Sequence, residues 1–252
     1  MPISKPAIAL AFGLALAGTS GASASEAGAT LEHAGNDVAN VASLQRGARN
    51  FVNYCMGCHS ARYVRYSRLA KDLGLTEQQV IENLMFTGER IHDTMRAALR
   101  VEDAERWFGR EPPDMSLIAR SRGTDRIYTF LKSFYVDPSR PTGVNNMVAP
   151  QTAMPHVLWE LQGLQHAVYD GESDPAQAAV HRKFKGFELA QKGKLTPEEY
   201  DQFVRDTVNF IDYIGEPIQL KRRELGFRVL SFLVVFFLFA YFLKKEYWKD
   251  VK

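Results

Sequence analysis

The sequence predicts a mostly α-helical exported domain carried on a single C-terminal transmembrane helix. Apolar residues recur at helical spacing in several windows, whereas no period-2 run of useful length occurs. An uncharged apolar run, Val229 to Leu243, lies near the C-terminus, and the first residues have the layout of an export signal.

Residues 1–24 carry one charge, Lys5, then the apolar stretch Ala7 to Ala17 and the small-residue sequence Ala22-Ser23-Ala24. That order of charged, apolar and cleavable regions is a secretory signal peptide, and it predicts a mature chain that starts outside the cytoplasmic membrane. Residues 25–218 then form the exported domain. Its first candidate helix, Gln45 to Tyr54, places Phe51 and Tyr54 on one face. A second is capped by Thr76 and carries Val80, Ile81, Leu84 and Met85 as an apolar stripe, with Met95 continuing the same helical stretch. A third, Thr124 to Phe134, aligns Ile127, Phe130, Leu131 and Phe134.

From Asp137 to Pro155 the chain reads as loop, with Pro138, Pro141, Gly143, Pro150 and Pro155. A loop of that length inside a compact domain is usually functional. The clearest helix follows at 196–214: Thr196-Pro197-Glu198-Glu199 is a capping box with Pro in the first turn, and Tyr200, Phe203, Val204, Thr207, Ile211 and Ile214 succeed it at helical spacing. Gly215-Glu216-Pro217 ends it. Residues 219–224 read as a basic linker, 225–245 as the membrane span and 246–252 as a cytoplasmic tail. At ~1.5 Å per residue the uncharged run alone is short of a ~30 Å hydrocarbon core. Leu225, Gly226 and Phe227 make up the deficit while Arg228, Lys244 and Lys245 snorkel to the headgroups.

The net charge of +2 over 252 residues conceals a division. The exported domain holds 22 basic and 26 acidic residues, and residues 219–252 hold eight basic and three acidic. Neither number supports a nucleic-acid surface. An acidic domain would steer a basic partner at low salt, with Glu160, Asp170, Glu172 and Asp174 as a candidate patch.

Only two cysteines are present, which excludes a disulfide-stapled scaffold, and both lie in Cys55-Met56-Gly57-Cys58-His59. This is the C-x-x-C-H pattern of c-type haem attachment: two thiols add to two vinyl groups and the adjacent imidazole meets the iron. A zinc site would require more ligands than these. A thioredoxin-like redox pair would sit beside a strand–helix unit, which the sequence lacks. The cofactor expected is therefore one covalently attached haem c. Gly47-x-x-x-Phe51-x-x-x-Cys55 resembles the N-terminal helix of class I c-type cytochromes, in which the terminal helices cross at a glycine and an aromatic. The 196–214 helix is the natural partner.

The second axial ligand is open among Met154, Met147 and Met115. Met154 is the leading candidate because it ends the Pro-rich loop far downstream of His59. Met56 lies inside the attachment loop, and Met85 and Met95 read as core. His92, His156 and His166 read as surface residues. A His/Met pair would raise the reduction potential and fill both axial positions, which favours electron transfer over bond chemistry.

Four stretches together resemble the cytochrome c1 family of the quinol–cytochrome c oxidoreductase (bc1) complex: Cys55 to Ser60 with Tyr63, Val64 and Tyr66; Pro112-Pro113-Asp114-Met115-Ser116 running to Arg120; Ala153-Met154-Pro155; and Phe210, Tyr213, Glu216 and Pro217 with Arg222 and Gly226 before the span. The resemblance implies a periplasmic haem domain on a single-pass anchor in the cytoplasmic (inner) membrane, with cytochrome b and a Rieske iron–sulfur protein as partner subunits. It would pass electrons from the Rieske protein to a soluble c-type cytochrome. It also implies Met154 as the axial methionine and Arg120 as the holder of a haem propionate. A free-standing anchored cytochrome c serving another reductase or oxidase is the alternative, and a tethered thiol–disulfide oxidoreductase is a third reading.

Overall fold

A computed structural model describes residues 30–170 and 184–250. The signal sequence, Glu172 and Asp174 lie outside the described residues. The first helix, α1, runs Val41–Tyr54, four residues earlier than the spacing predicts, because the Asn40 side chain accepts from Ser43 N at 3.1 Å and caps it. Its partner is α8, Pro197–Gly215, where Thr196 and Glu199 close the expected capping box.

These two helices cross at Gly47. A Cβ there would stand 2.0 Å from the Asp206 carbonyl oxygen and 2.7 Å from Phe210 Cβ, so only glycine admits the approach. Phe51 and Phe210, both fully buried, pack with ring centroids 5.5 Å apart. Each such ring contributes roughly 1.5–3 kcal/mol through burial. The crossing expected from the Gly47–Phe51 spacing is thus present.

The domain is built around this pair. β1 (Ala61–Arg65) and α2 (Tyr66–Asp72) follow the cysteine motif, then α3 (Glu77–Asn83) with its Thr76–Gln79 capping box. Leu84 and Met85 are buried just past the end of α3. Met95 does not continue that helix. It lies in β2 (Thr94–Met95), paired with Ala61 and fully buried. Then come α4 (Val101–Phe108), α5 (Ile118–Arg122) and α6 (Thr124–Lys132). Phe134 leaves the predicted third helix to open β3 (Phe134–Val136), which pairs antiparallel with β4 (Val144–Asn146). A short α7 (Trp159–Gln162) leads into a hairpin of β5 (Gly163–Tyr169) and β6 (Phe184–Lys192).

Among the described residues, three two-stranded ladders accompany the helices of the expected mostly α-helical domain, although no period-2 run announced them. β6 is exposed along nearly all its length, so it carries no alternation of apolar and polar residues. Its pairing comes from β5, and β5 is held by Gln165, whose side chain donates to the carbonyls of Lys132 and Phe134. The last helix, α9, runs unbroken over Gln219–Tyr247. The basic 219–224 stretch forms its first turns, and the helix passes two residues beyond the predicted end of the span. It is long and apolar enough to cross a membrane and has no buried residue.

Candidate functional site: the Cys55–His59 turn and its surroundings

The motif is an extra turn on the end of α1. Phe51 O accepts from the amides of Cys55 and Met56, both at 2.9 Å, and Cys55 O accepts from Cys58 N at 3.1 Å and His59 N at 2.8 Å. Both cysteines are half-buried and free. Burial pushes the Cys55 thiol up to about 12 and raises that of Cys58. Thiols so placed stay protonated, which is the opposite of the activated thiolate a disulfide oxidoreductase needs.

Two strips of backbone hold this turn from either side. Leu99 N donates to Gly57 O at 3.2 Å and Ala97 N to Ser60 Oγ at 2.8 Å. Across from them, Met115 N donates to Ser60 O at 2.7 Å, Arg62 N to Asp114 Oδ2 at 3.0 Å and Tyr63 N to Ser116 Oγ at 3.1 Å. Pro112 and Pro113 keep their strip extended, since neither ring allows φ to vary. A cavity of about 130 Å³, lined among others by Cys58, Ser60, Arg96, Leu99 and Pro112, lies between the strips.

The same strip fixes the histidine. His59 Nδ1–H donates to Pro113 O at 2.8 Å; a carbonyl can only accept, so the proton is on Nδ1 and Nε2 keeps its lone pair. Burial pulls the His59 pKa down, against smaller raising effects of the Pro113 bond and Asp114, which keeps the ring neutral and able to ligate. Underneath, Tyr66 is fully buried and its hydroxyl donates to Met56 Sδ at 3.8 Å, tying the middle of the turn to α2.

Met154 is half-buried and packs against the same apolar core as Cys55 and Met115. The loop that carries it is ordered by two buried side chains, Asn145 and Asn146. Asn146 Oδ1 accepts from Val148 N and Ala149 N, its amide donates to Phe130 O, and Asn145 Oδ1 accepts from Gln151 N. Sequence reading missed both; an Asn-Asn pair midway in a long loop was the available signal. Met147 Sδ is engaged by the Tyr169 hydroxyl at 3.5 Å. His92 and His166 are exposed, but His156 corrects its surface assignment: it is buried, stacked on Phe134 at 4.9 Å, and burial pushes its pKa down to about 4.

Arg120, on α5, does not sit free. Its Nη1 pairs with Glu216, which also binds Arg222. Of the candidate acidic patch, Glu160 is paired with Lys194 at 2.6 Å.

The donor set fits a covalently bound haem. Two protonated, half-buried thiols stand one turn apart, a neutral imidazole has its far nitrogen open, and a thioether borders the same core. Among the described residues no three His, Cys, Asp or Glu side chains converge as a chelating group, so the imidazole and thiols do not form a zinc-type cluster. A family model, that of the Cytochrome C1 family, matches residues 36–175 and 189–251.

The chain belongs to the cytochrome c1 family.

Among its relatives, cytochrome c1 of Allochromatium vinosum is 50% identical over 228 residues, covering 90% of this chain and 92% of that one. An ammonia monooxygenase gamma subunit of Nitrosomonas europaea is 44% identical over 221 residues, 88% of each chain. Cytochrome c1 of Rhodospirillum rubrum is 28% identical over 233 residues, 83% of this chain and 82% of its own. As a cytochrome c1 family member the chain carries one covalently attached haem c and serves electron transfer in a bc1 complex with cytochrome b and Rieske partners. α9 is its single-pass membrane anchor.

Proposed function

We propose that Cys55 and Cys58 carry the haem thioethers, that His59 Nε2 and the Met154 thioether are the axial ligands, and that the haem domain faces the periplasm and delivers electrons to a soluble c-type cytochrome. Haem c, when bound, would supply a one-electron carrier, and Cys55, Cys58, His59 and Met154 are the residues that would hold it. The observation that carries the reading is the His59–Pro113 hydrogen bond, which orients the ring and leaves one nitrogen for iron. Around it the chain's own residues position and protect. The 95–99 and 111–116 strips hold the turn, the asparagine-braced loop brings Met154 to the core, and Met147 is already taken by Tyr169. Arg120 keeps Glu216 on Nη1 and has Nε and Nη2 to offer a propionate. The export signal supports the orientation, with 246–252 left in the cytoplasm.

Mild solubilisation of the membrane tests the assembly: a b-type haem protein and a Rieske protein should co-migrate with this chain, whereas isolation alone would favour a free-standing anchored cytochrome. The Nitrosomonas relative adds a second reading, service to an ammonia monooxygenase, which co-migration with a monooxygenase in place of cytochrome b would support. Met154→Leu should lower the potential and abolish the near-infrared methionine–iron band; retention of that band would move the assignment to Met115 or Met147.

A further inference from the structure

Met154 owes its place to the two ends of the segment that carries it. Its own amide makes one long bond, to Thr152 Oγ1 at 3.4 Å. Upstream, the segment is tied to the end of α6 and the turn into β3: Met147 N donates to Ser133 O at 3.1 Å, and the Asn146 amide to Phe130 O at 2.8 Å. Downstream, the tie is a ring. His156 is 6% exposed and stacks on Phe134, with ring centroids 4.9 Å apart and planes 6° from parallel. Both feet of the arch thus stand on the same stretch, Phe130 to Phe134.

Phe134 is a firm base. It is buried, the Phe130 ring packs on it edge to face at 5.1 Å, and its carbonyl accepts from Gln165 Nε2 at 2.7 Å. The edge of the imidazole meets a second residue. His156 Nε2 and Gln162 Oε1 are both buried without a hydrogen-bond partner among the described residues, and Gln162 and the Gly163 backbone are the polar groups that bear on the ring. A ring N–H and an amide oxygen complement each other. Gln162 is itself held, its amide donating to Lys132 O at 2.8 Å. The ring therefore has a seat for its face on Phe134 and one for its edge at Gln162.

The link from this ring to the thioether is short and stiff. Only Pro155 lies between His156 and Met154; proline fixes its own φ, and the residue before it is confined to extended backbone. Two residues of chain span at most about 7 Å. Play at His156 passes to the Met154 side chain with little room to be absorbed. We infer that His156 is a positioning residue for Met154: stacked on Phe134, it clamps the downstream foot of the arch and so holds the thioether ready for iron. The inference rests on Met154 as the axial ligand.

The test uses the full-length ferric holoprotein titrated with free imidazole, which must displace the methionine to bind. A stacked pair of rings is worth up to about a factor of ten in an equilibrium, so His156→Ala should bind imidazole about tenfold more tightly. Its reduction potential should fall, with thioether-bound haem per chain unchanged. His156→Leu keeps bulk and loses the flat face; it should show the same changes, and it carries the test if the alanine variant does not mature. His156→Phe keeps the stack and should stay within about threefold of the unmutated protein. Val80→Ala, at a fully buried position on α3, measures what lost stability alone does and should leave imidazole affinity and potential unchanged. Unchanged affinity in the alanine and leucine variants, a phenylalanine variant as open as the alanine one, or an equal rise in Val80→Ala overturns the clamp. Met154→Leu tests the premise separately. If that variant keeps the near-infrared methionine–iron band, the ligand assignment and the clamp both fall; if it loses the band while the His156 variants behave as the unmutated protein, only the clamp falls.

Discussion

The α1–α8 crossing and the Cys55–His59 turn are adjoining stretches of the same helix, yet they treat their polar groups in opposite ways. At the crossing, Asp206 accepts from Ser43, from Gln202 and twice from Arg46, and Asn50 donates to Thr207. Side chains there are spent on each other. In the turn, only backbone and positioning atoms are spent: Ser60, His59 Nδ1 and the Met56 sulfur have partners, while both thiols, His59 Nε2 and the Met154 thioether are left open. The first region stores stability, and the second holds reactive atoms in place without consuming them.

Removing the open atoms should therefore cost the cofactor outright. Cys55→Ala with Cys58→Ala is expected to abolish covalent haem, read as loss of haem staining after denaturing electrophoresis. A single replacement should leave a weakly stained band on one thioether. If the double variant still stains, the attachment lies elsewhere and the division between the two regions fails.

The crossing should respond in stability. Gly47→Ala gains about 1 kcal/mol of helix propensity, but its Cβ would press a backbone carbonyl that no rotamer change can move. A net loss of about 3 kcal/mol or more in denaturant unfolding is expected, with haem content per folded chain unchanged. Tyr66→Phe tests the border between the regions. It removes only the hydroxyl that donates to Met56 Sδ and meets Thr87 Oγ1 at 3.3 Å, so about 1 kcal/mol should be lost while both thioethers still form. Loss of attachment in this variant would show that the turn depends on α2 rather than on its two backbone strips.

The two regions were also unequally legible in the sequence. The Gly47–Phe51–Cys55 spacing, the Thr196 capping box and C-x-x-C-H are local patterns, each decided by residues within a turn or two, and the structure forms all of the corresponding elements. What could not be read depends on contacts between distant segments. The β5–β6 ladder has an exposed strand with no alternation, Met95 is placed by pairing with Ala61, and His156 is buried by the β3 aromatic it stacks on. His59 itself was legible, but its orientation was not, because the carbonyl that sets it comes from Pro113, more than fifty residues later. Arg120 is the clearest case: it was singled out only through the family resemblance, and its pairing with Glu216, distant in the chain, could not be read there.

The smallest expected effect separates two aspartates on the one helix. Asp206 is met by a full set of donors, whereas Asp212 is half-buried and accepts from the Asn36 amide at 2.9 Å. Burial raises the Asp212 pKa above its ordinary 3.8, the Asn36 bond and the nearby Arg223 and Arg120 opposing the rise. A carboxyl whose folded pKa lies above its unfolded one binds more protons when folded, so stability falls as pH climbs through that interval and stays lower above it. Asp212→Asn keeps an acceptor for Asn36 and removes the charge. It should raise the melting temperature slightly at pH 7, and the gain should vanish as the pH falls below the ordinary aspartate value. A loss of stability at pH 7 would mean that the attraction of Arg223 and Arg120 outweighs burial, and would place Asp212 with Asp206 among the residues that hold the scaffold together.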